Sequence, residues 1–548
     1  MVTEKISLPQ FSNWQSIFTP QSSLNPKFFA YGSLPIYLLK IFSWFLSVFL
    51  GNQWLSYSHL PFSGRFLIIL FDLGSIFVIF KIGDRVWGRK IGLLGAFFYS
   101  SCVLPIQLSH FFAVDIPLNF FILVTLYRLL VFYDQPNWKN APMVGLVFGL
   151  SLATKVSASL LIFSVGMTLL VDLVLLVFKF IRETTMSWWI KIKLLFFKSL
   201  KKIFWQRYIL KVIAYFLIIV ITTGIVYFFT ELYTLVDFKT FWRQINEQHK
   251  MTYDPYIFPY TLQYVGTIPY LYQLKNMIFW GMGISLGIFS ILGTLWYLID
   301  LGKRLKAKGD YDREAKELIL IVFWVIYFLI VGKFAVKFMR YFLPLYPIFI
   351  LMAVKFLIMI FNRFKKGHNL LFLILLIIFH LIWLLAFLGI YFRPHSRVKA
   401  SEWINKNIPP GAVLAVEHWD DRLPLWGGEK YNFVEMPMYQ PDNSNLKWQK
   451  VSDNLRNADY IIIASNRLYV PLQKLSDCSK YRVCFPQTAK YYHDLFSGKL
   501  GFRKIAEFTS YPGLKIGHWK LEIKDDAADE SFTVYDHPKV IIFQKQAR

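Results

Sequence analysis

Long apolar stretches constrain the fold of this chain more than any other feature. A stretch of about 17–25 apolar residues can cross a bilayer as a helix. We predict ten spans, at 65–81, 91–108, 115–133, 142–155, 158–178, 209–229, 277–299, 318–334, 343–361 and 369–391. Segment 34–50 either spans or lies in the interface as an amphipathic helix. We therefore expect a polytopic α-helical membrane protein with about 10–11 membrane helices.

The composition excludes several other classes of protein. Hydrophobic residues make up 55% of the 548 residues and charged residues 17%, whereas soluble domains carry about 25% charged residues. These values exclude a nucleic-acid-binding globular protein, a secreted disulfide scaffold and a disordered chain. The sequence contains no P-loop, dinucleotide fingerprint or zinc motif, which argues against an ATP-driven pump or a zinc protease. Nothing in the sequence requires a cofactor. A bound divalent metal ion stays an alternative, because a carboxylate and a phosphate can share such an ion.

The basic residues predict an orientation in the membrane. Residues 1–392 carry +21 of the formal net charge of +26. Ten spans would put four basic loops on the same side of the membrane: 81–90, 179–211, 300–317 and 362–368. The positive-inside rule predicts that this side is cytoplasmic. A bilayer with anionic lipids is the expected partner. Loops 51–64, 109–114 and 231–276 and the tail 393–548 then face outside, in a multi-pass cell-membrane protein.

Three regions follow from these patterns. Residues 1–64 form a juxtamembrane segment without a cleavable signal peptide, and residues 65–392 form the transmembrane domain. Residues 393–548 have a soluble composition and predict an extracytoplasmic α/β domain, with strands at Ala412–Val416, Tyr460–Ala464 and Val540–Phe543. Cys478 and Cys484 lie in it with five residues between them, and form either a disulfide or two free thiols.

A few charged residues at membrane depth are candidates for chemistry. Asp115 lies at the start of a span. It is either a functional acid or a carboxylate whose negative charge interacts favourably with the helix dipole. Lys155 either binds a phosphate or extends its amine to the interface. Arg340 suits phosphate recognition, and the alternative is an interface anchor together with Tyr341. Asp72 has either a basic partner or polar ones.

The loop 231–276 is crowded with aromatic residues, among them Tyr264 and Tyr270. Such side chains suit sugar rings or lipid tails, and they also suit an interfacial belt, which is the more common explanation.

Several motifs in a fixed order resemble the GT-C glycosyltransferases, in the branch related to protein O-mannosyltransferases and lipid A aminoarabinose transferases. The motifs are Asn25–Tyr37 (NPKFFAYGSLPIY), Arg65, Gly83–Lys90, His110–Pro117, Leu152–Lys155, Gln263–Thr267 and Arg340-Tyr341, and in the tail Glu417–Pro424 and Ala528–Pro538. The resemblance covers most of residues 20–392. It implies a membrane enzyme, a hexosyl- or pentosyltransferase, that passes a sugar from a polyprenyl-phosphate donor to a lipid, glycan or protein acceptor on the outer face, with inversion.

The resemblance also implies roles for individual residues. Asp115 matches a catalytic acid of the second outer loop. Lys155, Arg340, Tyr341 and Arg65 match positions near the donor phosphate. The remaining matches line a substrate groove in the outer loops: His110, Gln263, Tyr264 and Tyr270. Segment 34–50 would lie along the outer surface.

One departure from the family pattern concerns the catalytic base. The family carries an acidic pair, usually Asp-Glu, after a first transmembrane helix, whereas Glu4 is the only acidic residue before Asp72 here. We therefore expect that the chain starts late, at an internal methionine; a variant without the base is the alternative. A non-catalytic reading also stays open, as a transporter, a lipid-binding scaffold or an inactive relative, although the inverted repeats typical of transporters are not visible.

Overall fold

A computed structural model describes residues 2–7, 11–183, 202–307, 311–363 and 366–546. The chain divides into two compact units. Unit one comprises Met1–His249, Met277–Lys333 and Arg340–Ile377, and unit two comprises Lys250–Asn276, Phe334–Met339 and Ile378–Arg548. The predicted boundaries at residues 64 and 392 stay predictions.

Unit one is helical. Its main helices are α1 (Leu34–Leu50), α2 (Leu60–Trp87), α3 (Arg89–Ser100), α4 (Val103–Ser109), α5 (Asp115–Asp134), α6 (Asn140–Thr154), α7 (Leu161–Glu183), α8 (Lys202–Thr230), α9 (Phe238–Lys250), α10 (Ile284–Lys306), α11 (Tyr311–Gly332), α12 (Tyr346–Arg363) and α13 (Lys366–Leu388), the last of which ends in unit two. Shorter helical turns lie at Val2–Lys5, Phe11–Phe18, Asn52–Leu55, Val156–Leu160, Tyr233–Val236, Met277–Gly281 and Met339–Leu345.

The predicted membrane class is confirmed, although fewer helices than ten are long enough to span. Among the described residues seven helices are long and apolar enough to cross a membrane, and the pair α3 and α4, bent by 57°, makes an eighth if it is one span. Helices α1, α6 and the described apolar part of α13 are shorter. Each of the ten predicted spans nevertheless falls on helices of the structure.

The short helix α6 is stabilised by close packing against α8. Two glycines of α6 face α8, where a Cβ on Gly145 would lie 2.6 Å from the Ile219 carbonyl oxygen. The Thr223 hydroxyl donates to the Gly145 carbonyl at 3.1 Å. Small residues allow such approach between apolar helices. The predicted span 142–155 is thus a short helix that packs closely against a longer one.

Ion pairs join the helix ends that carry two of the predicted basic loops. Asp134, at the end of α5, binds Arg85 of α2 at 2.6 Å and Lys316 of α11 at 2.9 Å. The buried Glu317 carboxylate pairs with Arg304 at 2.5 Å and with Lys355 at 3.0 Å. We call this the basic-loop end of unit one. Most of loop 179–211 and parts of loops 300–317 and 362–368 lie outside the described residues.

Asp72, inside α2, has polar partners and, within the part of the chain that the structure describes, no basic one. Its two carboxylate oxygens accept hydrogen bonds from the Tyr99 hydroxyl and the Ser109 hydroxyl, each at 3.1 Å. The two donors stabilise the carboxyl group within the helix bundle.

Unit two is built around a mixed five-stranded sheet. Its strands are β1 (Val413–Glu417), β2 (Asn432–Met436), β3 (Tyr460–Ile463), β4 (Phe502–Phe508) and β7 (Val540–Lys545), and β5 (Gly513–Ile516) and β6 (Trp519–Glu522) form a separate hairpin. The sheet order is β2-β1-β3-β7-β4, with β1 parallel to β2 and β3, and β7 antiparallel to both its neighbours. The three predicted strands are thereby confirmed.

Both faces of this sheet are covered. Alternate residues of β3 enter two different cores, Ile461 and Ile463 on one side and Tyr460 and Ile462 on the other, as the period of two in a strand requires. Helices α14 (Ser396–Asn407), α15 (Asn445–Asn457) and α16 (Pro486–Phe496) belong to this unit, with shorter turns at Pro259–Tyr264, Leu271–Asn276, Gly428–Lys430, Tyr469–Lys474 and Glu530–Thr533. Cys478 and Cys484 form a disulfide with Cα atoms 5.1 Å apart.

Candidate active site

Three charged side chains meet at the end of unit one that is opposite to the basic-loop end. Asp115 begins α5, Lys155 directly follows α6, and Arg340 lies in the helical turn Met339–Leu345 before α12. Lys155 has an extended backbone (φ −163°, ψ 137°), which ends α6 and separates it from the turn Val156–Leu160. Because α5 has 20 residues, the two ends of unit one are separated by about 30 Å.

Asp115 pairs with both cations. The Lys155 amine lies 2.8 Å from one carboxylate oxygen, and the Arg340 Nε lies 3.5 Å from the other. The Asp115 side chain is 2% exposed, whereas those of Lys155 and Arg340 are 14% and 20% exposed. The three groups together carry one net positive charge, so the partly exposed cations can accept a further anion.

Two tyrosine rings flank the lysine. The Lys155 amine lies 4.5 Å from the ring centre of Tyr341 and 5.4 Å from that of Tyr31. Rings at such distances stabilise an ammonium group through cation–π interaction. Tyr341 was predicted for this site from the resemblance, whereas Tyr31 was not singled out within its motif.

A cavity of about 270 Å³ adjoins the cluster. Asp115 and Arg340 form part of its wall, and the rest is largely apolar: Phe28, Tyr31, Gly32, Pro35, Ile36, Phe112, Ala113 and Val114. A polar end and an apolar wall suit an amphipathic ligand with an anionic group.

The wall segment around Tyr31 is held in place by α6 and by Glu231. The Gly32 amide donates to the Thr154 carbonyl at 3.1 Å, and a Cβ on Gly32 would lie only 1.9 Å from the Ala153 carbonyl oxygen. The buried Glu231 carboxylate accepts from the Ser33 amide at 2.6 Å and from the Ser33 hydroxyl at 2.9 Å. It also accepts from the Leu34 amide at 3.1 Å, so it caps the first turn of α1.

Sequence reasoning missed Glu231 as a supporting residue. It lies 198 positions from Ser33, and the available signal was only an acid directly after an apolar span. The short-range patterns of helix capping do not reveal a cap supplied by a distant segment.

The other predicted site residues lie elsewhere in their units. Arg65 is exposed on α2 and does not line the cavity. His110 follows α4, where its Nδ1 lies 2.8 Å from the Ile106 carbonyl oxygen. Their predicted roles in binding stay predictions.

The three candidates from loop 231–276 belong to unit two. The Gln263 side chain donates to Glu530 at 3.0 Å and accepts from the Glu530 amide at 3.2 Å. The Tyr264 hydroxyl donates to Asp529 at 3.5 Å, and Tyr270 has a positive φ of 63°. Gln263 and Tyr264 thus contact the start of the turn Glu530–Thr533. The substrate groove predicted for Gln263, Tyr264 and Tyr270 stays a prediction.

No group of three or more His, Cys, Asp or Glu side chains in the described parts of the chain could hold a metal ion. The charged cluster described above contains one carboxylate and two cations, a set that suits an anion better than a cation.

Known proteins resemble parts of this chain. Residues 41–197 match the family model described as dolichyl-phosphate-mannose-protein mannosyltransferase. The match includes Asp115 and Lys155, and it confirms over this part of the chain the predicted resemblance to GT-C membrane glycosyltransferases. No curated protein sequence matches the chain significantly.

Solved membrane glycosyltransferases resemble the chain at low identity. The archaeal oligosaccharyltransferase AglB from Archaeoglobus fulgidus, solved with an inhibitory peptide and a dolichol-phosphate, is 12% identical, with a TM-score of 0.46 over 84% of this chain and 64% of that chain. The chain therefore spans less than two thirds of that oligosaccharyltransferase. ArnT from Cupriavidus metallidurans, bound to undecaprenyl phosphate, is 12% identical, with a TM-score of 0.40 over 82% of this chain and 85% of that chain.

Proposed function

We propose that this protein transfers a sugar from a polyprenyl-phosphate donor to an acceptor, with inversion at the sugar carbon. The observation that carries the proposal is the pairing of Lys155 and Arg340 with Asp115 beside an apolar cavity. The family model matched by residues 41–197 is named for a donor of this class.

Lys155 and Arg340 bind the donor phosphate in this proposal. In the reaction, the acceptor oxygen forms a bond to the sugar carbon while the bond from that carbon to the phosphate oxygen breaks, and the proton of the acceptor hydroxyl passes to water. Negative charge then grows on the leaving polyprenyl phosphate, and cations aimed at that charge lower the barrier. The apolar wall at Phe28, Ile36 and Phe112 takes the first isoprene units.

Asp115 acts chiefly by positioning the two cations. Each of its oxygens already faces one of the two cations, so the carboxylate fixes where both side chains lie. The catalytic acid–base role that the resemblance implies is the alternative. The two roles differ in kinetics, since a positioning residue affects donor binding and a base affects the chemical step.

We also propose that the site and unit two face the outside of the cell. The charges of the basic loops predict that loop 109–114, which directly precedes Asp115, faces outside. The Cys478–Cys484 disulfide in unit two fits an oxidising compartment.

The test is a transfer assay in vesicles with a polyprenyl-phosphate sugar, together with equilibrium binding of polyprenyl phosphate. We expect Arg340→Ala to weaken binding by about 10–100-fold, since a hydrogen bond to a charged group contributes ~1.5–3 kcal/mol. Asp115→Asn should weaken binding as well as lower transfer. Lys139→Ala, at an exposed lysine far from the cavity, is the matched control.

The outcomes separate the alternatives. Transfer and binding at wild-type levels in Arg340→Ala would refute the site. Unchanged binding with lost transfer in Asp115→Asn would assign the base role to Asp115. Binding of polyprenyl phosphate without transfer of any sugar would favour a lipid-binding protein over an enzyme.

A further inference from the structure

A second cavity, of about 400 Å³, opens between α3, α12 and α13 at the basic-loop end of unit one. We call it the lateral groove. Lys90, Leu94 and Phe98 of α3 line one wall, and Val354, Ile358 and Asn362 of α12 line the other. Each trio is spaced by four residues, so each lies along one face of its helix.

The lateral groove is polar at one end and apolar along the rest of its length. Lys90 lies in the first turn of α3 and Asn362 in the last turn of α12. From these residues to Phe98 and Val354 the groove runs for eight residues of each helix, or about 12 Å. Its walls there are aliphatic and aromatic. An acyl chain with a polar group at one end matches this distribution.

The polar end carries unpaired positive charge. Lys90 is exposed and has no ion-pair partner among the residues that the structure describes. Arg89 and Arg363, beside Lys90 and Asn362, are exposed as well. By contrast, Arg85, Arg304 and Lys316 at the same end are each paired with carboxylates. The groove therefore ends in cations that are available to a ligand.

We propose that the lateral groove binds one anionic glycerophospholipid, with an acyl chain between α3 and α12 and its phosphate at Lys90. Basic sites between membrane helices recognise anionic headgroups in this way. The groove lies at the basic-loop end of unit one, and Asp115 lies at the opposite end. This lipid is therefore distinct from the proposed sugar donor. The inference does not depend on the proposed function.

The test is native mass spectrometry of the full chain in detergent, with phosphatidylglycerol or phosphatidylcholine of the same acyl chains. We expect the wild type to retain one phosphatidylglycerol in preference to phosphatidylcholine. Lys90→Gln should lower phosphatidylglycerol retention about fivefold, which corresponds to ~1 kcal/mol for one basic residue. Leu94→Trp fills the groove and should lower retention of both lipids. Lys81→Gln, outside the groove, should leave retention unchanged.

Three results would overturn the inference. These are equal retention of the two phospholipids by the wild type, an unchanged preference in Lys90→Gln, and retention of polyprenyl phosphate in place of phosphatidylglycerol at equal concentration. The last result would assign the groove to a polyprenyl lipid. Lys90 is exposed, so its variant tests the headgroup contact without disturbing a packed core.

Discussion

At the residue scale, the candidate site depends on how Lys155 is held. Its amine has one carboxylate, Asp115, and two aromatic faces, Tyr31 and Tyr341. These three contacts leave part of the lysine accessible, because the Lys155 side chain stays 14% exposed. The lysine is thus positioned before a ligand arrives, which reduces the entropy lost on binding.

Substitutions of Tyr31 test whether the aromatic rings beside Lys155 contribute to binding of polyprenyl phosphate. We expect Tyr31→Leu to weaken binding of polyprenyl phosphate about fivefold, because a partly buried cation–π contact contributes ~1 kcal/mol. Tyr31→Phe keeps the ring and should bind within about twofold of the wild type. Equal loss in both variants, measured by equilibrium binding, would show that the hydroxyl rather than the ring is responsible.

The buried carboxyl group of Glu417 in unit two should make the stability of the protein depend on pH. Burial raises the pKa of this carboxyl group from 4.5 to about 8, although it accepts a hydrogen bond from Tyr492. The folded state keeps the proton while the unfolded state loses it, so stability falls as the pH rises from about 4.5 to about 8. Above that range the loss is complete.

We expect Glu417→Gln to remove this dependence. The variant should gain thermal stability over the wild type at pH 8 but not at pH 4.5, when melting is followed by scanning fluorimetry. Glu429→Gln, at an exposed position, is the control and should follow the wild type at both pH values. A difference between Glu417→Gln and the wild type that is the same at both pH values would contradict the account.

At the element scale, the first turn of α1 forms a wall of the candidate site. Its position depends on the hydrogen bonds from Ser33 and Leu34 to Glu231 and on the contact of Gly32 with α6. The end of α8, the end of α6 and the start of α1 are therefore joined beside the cavity. A change at this junction should reach Tyr31, which directly precedes Gly32.

We expect Glu231→Ala to weaken polyprenyl phosphate binding without removing a group that touches the ligand. The loss of the cap leaves buried amides unsatisfied, at a cost of about 1–3 kcal/mol in stability, and releases the wall segment. Glu231→Gln retains one acceptor oxygen and should restore part of the affinity. Glu247→Ala, at an exposed acid of α9, is the control. Reduced stability with unchanged affinity in Glu231→Ala would confine Glu231 to a structural role.

At the scale of the whole molecule, hydrophobic patterning predicted much of the architecture. The apolar stretches were correctly placed on helices, and three strands of the sheet in unit two were found from their apolar runs. The short helix α6 (Asn140–Thr154) lies within two residues of its predicted bounds. The bend was not predictable: the span at 91–108 bends by 57° between α3 and α4. Such a bend depends on tertiary packing, which local patterns do not contain.

The candidate site was predictable only in part. The cost of charged groups at membrane depth points to Asp115, Lys155 and Arg340, and the structure brings these three together. Glu231 and Tyr31 were missed because their contacts join segments far apart in the chain. Arg65 does not line the cavity, although its motif lies in order with the others.

The most direct test of the central claim is photo-crosslinking with a polyprenyl phosphate that carries a diazirine on its first isoprene unit. We expect the labelled peptides to come from the cavity wall, at Phe28–Ile36 and Phe112–Val114. Labelling there should disappear in Arg340→Ala and persist in Lys139→Ala. Labelling confined to the lateral groove, or spread evenly over the apolar helices, would contradict the claim that Lys155 and Arg340 bind the donor phosphate.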